Sequence, residues 1–190
     1  AISMLNTNLD LAITDYVTVD FNAIVECVDL LGGVEMTITD DEAILMQGYI
    51  REINEITGNN STCPTSGGTM TLDGVQACAF ARIRYGGGDD YRRTERQREV
   101  LAAIVDKAQH SNLRTINSII NQVFGDIQTS FSNADLIALA ANVFNYDMGE
   151  TTGFPFEKTA QRYDSVGDVV IPCDLSSNVT QLHEFLFDNV

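Results

Sequence analysis

Three consecutive glycines, residues 86–88, interrupt the chain between two helical patterns. A helix is expected before them over residues 72–82, and Asp89 and Asp90 are natural N-cap residues for a second helix over residues 91–110. Glycine tolerates the backbone conformations that a sharp return requires. The break therefore predicts that the end of the first helix and the start of the second lie close together.

Arginine is concentrated on both sides of this break. Six of the eleven Lys and Arg residues fall within residues 81–100, and all six are arginine. Four carboxylates in the same window leave it a net charge of +2, whereas the whole chain carries −16 and the remainder therefore −18. Arginine binds phosphate or carboxylate oxygens through two parallel hydrogen bonds. The pattern predicts a site for a specific anion, and the acidic remainder argues against a nucleic-acid or anionic-membrane surface.

The spacing within the window selects candidate ligands for that anion. Arg93 and Gln97 are four residues apart and share one face of the second helix. Arg82 and Arg84 are two residues apart, so both reach one ligand only if the chain leaves helical geometry between them. The glycine break would then bring this pair back toward Arg93 and Gln97.

The other arginines of the window have a simpler interpretation. Arg92 and Arg96 share a different helix face, and Arg98 points to yet another. Arginine on an exposed helix usually forms a solvated face together with glutamate. We therefore expect these three residues to be solvated and to take no part in binding the anion.

Two sequence blocks resemble one family. Residues 68–97 read as a Gly-x-x-x-Leu-x-Gly turn, a helix ending in Arg-x-Arg, a short loop, and Asp-x-x-Arg-x-x-x-Gln. Upstream, DYVTVDFNAIVECVDLLGGVEM contains Tyr-x-x-Val-Asp-Phe and Val-Asp-x-x-Gly-Gly-Val. In this order and spacing, residues 15–97 resemble the LytR-CpsA-Psr family. The matching positions of the first block are Gly68, Leu72, Gly74, Arg82, Arg84, Asp90, Arg93 and Gln97.

The resemblance implies a fold. It predicts an α/β (α+β) domain with a central mixed sheet flanked by helices in three layers. Nothing in a chain of 190 residues demands two domains, so residues 1–190 are expected to form one. The family's domain begins with strands that carry a metal-binding Asp and an Ile-Pro-Arg-Asp segment, which this sequence lacks. We therefore expect a domain truncated at its N-terminus.

The resemblance also implies a transferase of cell-wall biogenesis in Gram-positive bacteria. It would move a polyprenyl-pyrophosphate-linked glycopolymer, such as teichoic acid or capsule, onto peptidoglycan. Arg82, Arg84 and Arg93 would hold the pyrophosphate oxygens, with Gln97 at the rim of the substrate site. Asp90 would hold Mg²⁺ (or Mn²⁺) or orient an arginine, and its simpler interpretation is a helix cap.

Location and alternative functions follow from the same resemblance. It implies an extracytoplasmic domain, anchored to the membrane through an N-terminal helix that lies outside this sequence. Because part of the expected site is missing, a non-catalytic module that binds polyprenyl phosphate or a phosphosugar is one alternative. A hydrolase acting on the same pyrophosphate carrier is another.

Four cysteines in an extracytoplasmic context allow up to two disulfides in three connectivities. Cys27 and Cys78 lie on apolar helix faces, which favours buried thiols. Cys63 and Cys173 lie in predicted loops and are the candidate disulfide pair.

Hydrophobic periodicity and turn signals predict long helices with scattered strands. Strands are expected over residues 13–21, 34–38, 151–158 and 166–171, with a polar loop over residues 58–71. Helices are expected over residues 1–11, 23–31, 40–56, 72–82, 91–110, 116–131, 132–146 and 176–189. Ile44 is expected to face inward on its helix, and Val100 and Leu101 are expected to be buried on the helix over residues 91–110.

Overall fold

The computed structural model describes residues 1–84, 89–123, 125, 127–146, 148–165 and 167–188, without the side chains of residues 89, 90, 168 and 188. Within these ranges, helices and short strands alternate, which confirms the mixed α/β class. The helices are α1 (Ile2–Leu9), α2 (Phe21–Leu30), α3 (Asp40–Thr57), α4 (Gly74–Arg82), α5 (Asp89–Gln109), α6 (Leu113–Val123), α7 (Asn133–Ala141) and α8 (Leu175–His183). The strands are β1 (Val17–Thr18), β2 (Val34–Ile38), β3 (Gly68–Leu72), β4 (Gln128–Thr129), β5 (Lys158–Tyr163) and β6 (Gly167–Pro172).

The described strands form three separate antiparallel pairs, β1–β4, β2–β3 and β5–β6. The expected central mixed sheet is therefore not found in the described part of the chain. A central strand must bury side chains on its faces, whereas β1 has two residues and both are exposed. The strand expected over residues 13–21 is likewise reduced to the two residues of β1, because the side chains there are not buried.

The described residues group into two compact units. One combines residues 1–14 with residues 151–190, and the other comprises residues 15–150. The expectation that residues 1–190 form one domain stays a prediction. A membrane-crossing helix needs a long apolar run, and no helix in the described ranges has one.

The core of the larger unit lies between the β2–β3 pair and helices α2, α3 and α4. Gly32 and Gly33 end α2 with φ angles of 78° and 88° and turn the chain into β2. Strand β2 has the predicted bounds, and its first, third and fifth residues are buried. Strand β3 was not predicted, because its threonine-rich sequence between glycines has the composition of a loop.

Helix α3 begins with a reciprocal capping box. The Thr39 hydroxyl accepts a hydrogen bond from the Glu42 amide at 3.2 Å, and the Glu42 carboxylate accepts one from the Thr39 amide at 3.0 Å. The buried apolar stripe of α3 consists of Ala43, Met46, Ile50 and Ile53. Ile44 is 63% exposed, so its expected inward orientation is wrong. It lies one residue, or about 100° around the helix, past the buried Ala43.

Helix α4 is buried along nearly its whole length, with Val75, Ala77, Cys78, Ala79 and Phe80 each at most 2% exposed. It contacts α2, α3 and α5. A Cβ atom at Gly74 would overlap the backbone of Val25 in α2. The contact between α2 and α4 therefore requires glycine at position 74.

The rest of the larger unit extends this core. Val100 of α5 is buried as expected, whereas Leu101 is 53% exposed because it lies on the adjacent, outer face. The helix expected over residues 116–131 divides into α6 and strand β4. Ser132 caps α7 through a capping box with Asp135.

The smaller unit contains α1, the β5–β6 pair and α8. The buried Asn178 side chain accepts a hydrogen bond from the Glu157 amide at 3.0 Å and donates to the Glu157 carbonyl at 3.1 Å. Residues 151–157 are not in a strand, and the expected strand over 151–158 instead begins at Lys158. In the same unit, His183 Nε2 lies 2.9 Å from the Leu9 carbonyl oxygen.

The four cysteines are free thiols. Cys63 and Cys173 are exposed and do not form the candidate disulfide, whereas Cys78 is buried. Burial raises the pKa of the Cys78 thiol to about 11, although the nearby Arg82 charge acts to lower it. Burial also raises the pKa of the Cys27 thiol.

Replacing Gly74 with Ala is expected to destabilise the protein by about 2 kcal/mol or more, because the new methyl group overlaps the Val25 backbone. Gly48→Ala is the matched control. Gly48 lies inside α3 with open space around its Cβ position, so alanine there should stabilise the fold by about 0.5–1 kcal/mol. Urea unfolding of both variants measures the difference, and equal unfolding midpoints would contradict the proposed close contact.

Alkylation by iodoacetamide at pH 8 is expected to label Cys63 and Cys173 rapidly and to leave Cys78 unmodified. The thiolate is the reactive form, and a pKa of about 11 leaves roughly one in a thousand Cys78 thiols ionised at this pH. Peptide mass spectrometry of native and urea-unfolded protein measures the labelling of each cysteine. If native Cys78 reacted as fast as Cys63, its burial in α4 would be wrong.

Candidate functional site

The candidate site begins where α4 ends. A capping box between Asp73 and Gln76 starts this helix, and the Ser61 hydroxyl donates to the Asp73 carboxylate at 2.6 Å. Arg82 is the last helical residue, and Ile83 follows with φ −56° and ψ 123°. The chain therefore leaves helical geometry between Arg82 and Arg84, as the two-residue spacing required.

The guanidinium group of Arg82 is held on three sides. Its Cζ atom lies 4.6 Å from the centre of the Phe21 ring and 5.5 Å from the centre of the Tyr49 ring. Its Nη2 donates a hydrogen bond to Glu52 Oε1 at 3.1 Å. Cation–π contacts and an ion pair together fix both the position and the orientation of the guanidinium plane.

The other terminal nitrogen of Arg82 has different surroundings. Nη1 is buried, and it has no hydrogen-bond partner among the described residues. A buried donor without an acceptor carries a desolvation cost of about 1–3 kcal/mol. An anion oxygen placed at Nη1 would remove that cost, so the arrangement is suited to bind a phosphate or a carboxylate.

The structure describes the other predicted ligands to different extents. Arg84 is exposed and Gln97 is exposed, whereas Arg93 is half-buried and interacts with its surroundings. The side chain of Asp90 lies outside the described residues. The convergence of Arg82, Arg84 and Arg93 on one anion therefore stays a prediction.

Arg96 corrects the expectation of a solvated arginine face. It is 4% exposed, its Nε donates to Glu42 Oε1 at 2.9 Å, and its Nη1 donates to the Ile83 carbonyl at 3.2 Å. Its Cζ also lies 5.8 Å from the centre of the Phe80 ring. The sequence contained the signal, because Arg96 lies four residues before Val100, which was predicted to be buried on the same helix face.

Arg92 is half-buried and pairs with Glu42, the same carboxylate that Arg96 binds. Its Nη2 lies 3.4 Å from Glu42 Oε1, and its Nη1 donates to Glu99 at 2.7 Å and to Glu95 at 3.2 Å. Arg98 is half-buried and makes no hydrogen bond or ion pair with the described residues. Of the three arginines expected to be solvated, Arg96 is thus the one that is buried.

Glu42 is the carboxylate that Arg92 and Arg96 share. Its side chain is buried, caps α3 and accepts from Arg96. Burial alone would raise the pKa of the Glu42 carboxyl, but hydrogen bonds from the Thr39 amide and Arg96, with the Arg96 charge, hold that pKa below its usual value of 4.5. Glu42 therefore carries its negative charge in the folded protein at neutral pH.

The expected Mg²⁺ or Mn²⁺ is not supported by the described side chains. No group of three His, Cys, Asp or Glu residues among them is arranged to hold a metal ion. Asp90, the predicted ligand, is not part of that set. The metal stays a prediction from the family resemblance.

An open groove of about 510 Å³ lies between α2, the end of α3 and α6. Glu26 and Asp29 line it together with Asn22, Asn59 and Gln122. None of the described residues that line this groove is an arginine or a lysine, and its two carboxylates would repel a phosphate. The braced Arg82 is therefore the better candidate for binding an anion.

Comparison with known proteins identifies a family. The LytR_cpsA_psr family model matches residues 1–166. TagT of Bacillus subtilis (strain 168), named as a polyisoprenyl-teichoic acid–peptidoglycan teichoic acid transferase, is 29% identical over 159 residues, covering 82% of this chain and 47% of TagT. Biofilm regulatory protein A of Streptococcus mutans is 30% identical over 132 residues, covering 68% of this chain and 30% of that protein. The chain thus spans less than half the length of these two relatives.

Solved structures share the fold. A structure described as TagT bound to LI-WTA matches with a TM-score of 0.66 at 22% identity, covering 99% of this chain and 65% of that one. The protein EF0465 of Enterococcus faecalis, described as a transcriptional regulator, matches with a TM-score of 0.67 at 22% identity, covering 97% and 64%. At this identity the likeness establishes the fold alone.

Replacing Glu42 with Gln is expected to destabilise the protein by about 3 kcal/mol at pH 7, because Arg96 would remain buried without a charged partner. The lowered pKa means that the folded state binds a proton more weakly than the unfolded chain. The stabilisation by Glu42 is therefore fully present above pH 4.5 and is lost as the pH falls through the lower, folded-state pKa. The difference between wild type and variant should shrink along that range.

Urea unfolding between pH 7 and pH 3 measures this difference. Glu95→Gln is the matched control, because Glu95 pairs with Arg92 at the surface and should change stability by less than about 1 kcal/mol. A difference between wild type and Glu42→Gln that did not change with pH would contradict the role of the Glu42 charge.

Proposed function

Because the chain belongs to the LytR_cpsA_psr family, we propose that it takes part in attaching glycopolymers to peptidoglycan. The donor is a teichoic acid, capsule or similar polymer carried on polyprenyl pyrophosphate, and the acceptor is a hydroxyl group of peptidoglycan. Two relatives, one of B. subtilis and one of E. faecalis, are named as polyisoprenyl-teichoic acid–peptidoglycan teichoic acid transferases, which supports this assignment.

The braced guanidinium of Arg82 is the observation that carries the proposal. It presents a buried donor without a described acceptor, at the end of the helix that leads into the arginine-rich window. Because Phe21, Tyr49 and Glu52 already fix its position, little side-chain freedom is lost when an anion binds. A pyrophosphate is an anion that such a group binds with charge-assisted hydrogen bonds.

The reaction proposed is phosphoryl transfer. The acceptor hydroxyl oxygen forms a bond to the phosphorus next to the glycopolymer, while the bond from that phosphorus to the bridging oxygen breaks. Polyprenyl monophosphate leaves with the electron pair, and the hydroxyl proton passes to a base or to water. Such a reaction needs charge neutralisation and alignment more than a covalent nucleophile.

Each predicted site residue has a role in this step. Arg82, Arg84 and Arg93 neutralise the pyrophosphate oxygens and the charge on the departing phosphate. Gln97 hydrogen-bonds the substrate at the rim of the site. Asp90 orients an arginine or would hold Mg²⁺ (or Mn²⁺).

Location and partners form part of the same proposal. The substrates are a membrane-embedded lipid carrier and the cell wall, so the reaction takes place on the outer side of the membrane. We propose an extracytoplasmic protein that is anchored to the membrane in its full length, as the family resemblance implies. The net charge of −16 argues against nucleic acid as a partner.

Replacing Arg82 with Ala is expected to weaken the binding of geranyl pyrophosphate by tenfold to a hundredfold or more. A charge-assisted hydrogen bond to phosphate contributes about 1.5–3 kcal/mol, and about 1.4 kcal/mol corresponds to a factor of ten in affinity. Isothermal titration calorimetry measures the affinity, and circular dichroism checks that the fold is unchanged. An assay of glycopolymer transfer to peptidoglycan fragments with the same proteins separates transfer from binding alone or hydrolysis.

Arg98→Ala is the matched control, because it removes the same charge from a residue outside the family motif. If Arg98→Ala weakened binding as much as Arg82→Ala, the cluster would act through general positive charge and the specific role of Arg82 would be wrong. Unchanged binding by Arg82→Ala would overturn the proposed anion site. Hydrolysis or tight binding without transfer would assign the chain to one of the alternative functions.

A further inference from the structure

Arg96 contacts the backbone at the point where the chain turns between two candidate ligands. Its Nη1 donates to the carbonyl oxygen of Ile83, the residue between Arg82 and Arg84. The last carbonyl groups of a helix lack partners within the helix. The buried arginine of α5 thus supplies the hydrogen bond that the end of α4 lacks.

Arg96 is itself fixed by Glu42. Its Nε donates to Glu42 Oε1 at 2.9 Å, and both side chains are buried. The other oxygen of Glu42 is held by the amide and hydroxyl of Thr39 at the start of α3. A continuous chain of hydrogen bonds therefore runs from Thr39 through Glu42 and Arg96 to the Ile83 carbonyl.

We infer that Arg96 and Glu42 are positioning residues that hold the Arg82–Arg84 segment in its binding geometry. This inference rests on the proposed function, since it concerns the same anion site. Arg96 is 4% exposed, and its Nε and Nη1 donate to Glu42 and to the Ile83 carbonyl, so it does not contact the ligand. It acts through the backbone of Ile83.

Arg84 depends on this backbone contact more than Arg82 does. Arg82 has its own supports in Phe21, Tyr49 and Glu52. Arg84 is exposed and makes no hydrogen bond or ion pair with the described residues, so its direction follows from the Ile83 backbone. A shift of about 1 Å in a binding group is enough to lower activity by about a hundredfold.

Arg96→Lys tests the inference without removing the buried charge. A lysine ammonium can pair with Glu42, but it lacks the planar fork that reaches Glu42 and the Ile83 carbonyl together. We expect at least a tenfold loss of affinity for geranyl pyrophosphate, with a native circular dichroism spectrum. Arg92→Lys is the matched control, because Arg92 also pairs with Glu42, whereas its described hydrogen bonds go to glutamates and not to Ile83. It should bind like the wild type.

A double-mutant cycle with Arg84→Ala separates positioning from general stabilisation. If Arg96 acts by directing Arg84, Arg84→Ala should cost much less affinity in the Arg96→Lys protein than in the wild type. Fully additive losses would overturn the inference, as would wild-type binding by Arg96→Lys, or equal losses in Arg92→Lys and Arg96→Lys. Glu42→Gln provides a second test, and its binding affinity, measured at a temperature where it remains folded, should fall as well.

The result also distinguishes this inference from the proposed function. If Arg82→Ala weakens binding and Arg96→Lys does not, the anion site stands and only the positioning role fails. If Arg82→Ala leaves binding unchanged, the anion site itself is wrong, and the positioning role fails with it.

Discussion

Helix α4 can contact the backbone of α2 only because residue 74 has no side chain. The overlap that a Cβ atom would make with Val25 fixes how closely the two helices approach. The Gly74 amide also donates a hydrogen bond to the Asp29 carboxylate of α2 at 2.7 Å. This bond fixes the position of the start of α4 against α2. The position of the other end of α4, where Arg82 lies, follows from this contact.

The far end of α4 is then connected to the elements around it by charged groups. Glu52 of α3 binds Arg82, and Glu42 of α3 binds Arg96 of α5, which in turn binds the carbonyl of Ile83, the residue that follows α4. A buried ion pair is weak evidence of net stabilisation, because burying both charges costs about as much as their attraction gains. Its effect here is geometric, since it sets the position of three helices relative to a single backbone carbonyl.

Local signals in the sequence predicted local structure well. The end of α2, the bounds of β2 and the start of α7 depend on signals that act over a few residues, and the structure has each within a residue of its predicted position. Strand β3 was missed because its polar sequence becomes a strand only through pairing with β2, whose paired residues lie 30 to 38 positions earlier. Ile44 and Leu101 were misplaced because a helical stripe read from sequence is uncertain by one residue, which is about 100°.

The candidate site was predictable in the same unequal way. The family motif names Arg82, Arg84, Asp90, Arg93 and Gln97, but no spacing in the sequence relates Arg82 to the residues that hold it. Glu52 lies 30 residues from Arg82, and Phe21 is still further away in the chain. The burial of Arg96 was missed, although Val100 shares its helix face, because an arginine among glutamates has the pattern of a solvated helix; its partner Glu42 lies 54 residues away in the chain.

The unsatisfied Nη1 of Arg82 links affinity to fold stability. The free protein already bears the desolvation of that donor, so a ligand gains the hydrogen bond without a further dehydration cost on the protein side. An apolar side chain of similar length at this position would keep the packing against Phe21 and Tyr49 and would remove the unpaired donor. For the stability of the fold alone, such a side chain would therefore be more favourable than arginine. Selection for heat resistance alone would therefore favour replacement of Arg82. Its retention in a heat-resistant variant would indicate that the protein still binds the anion.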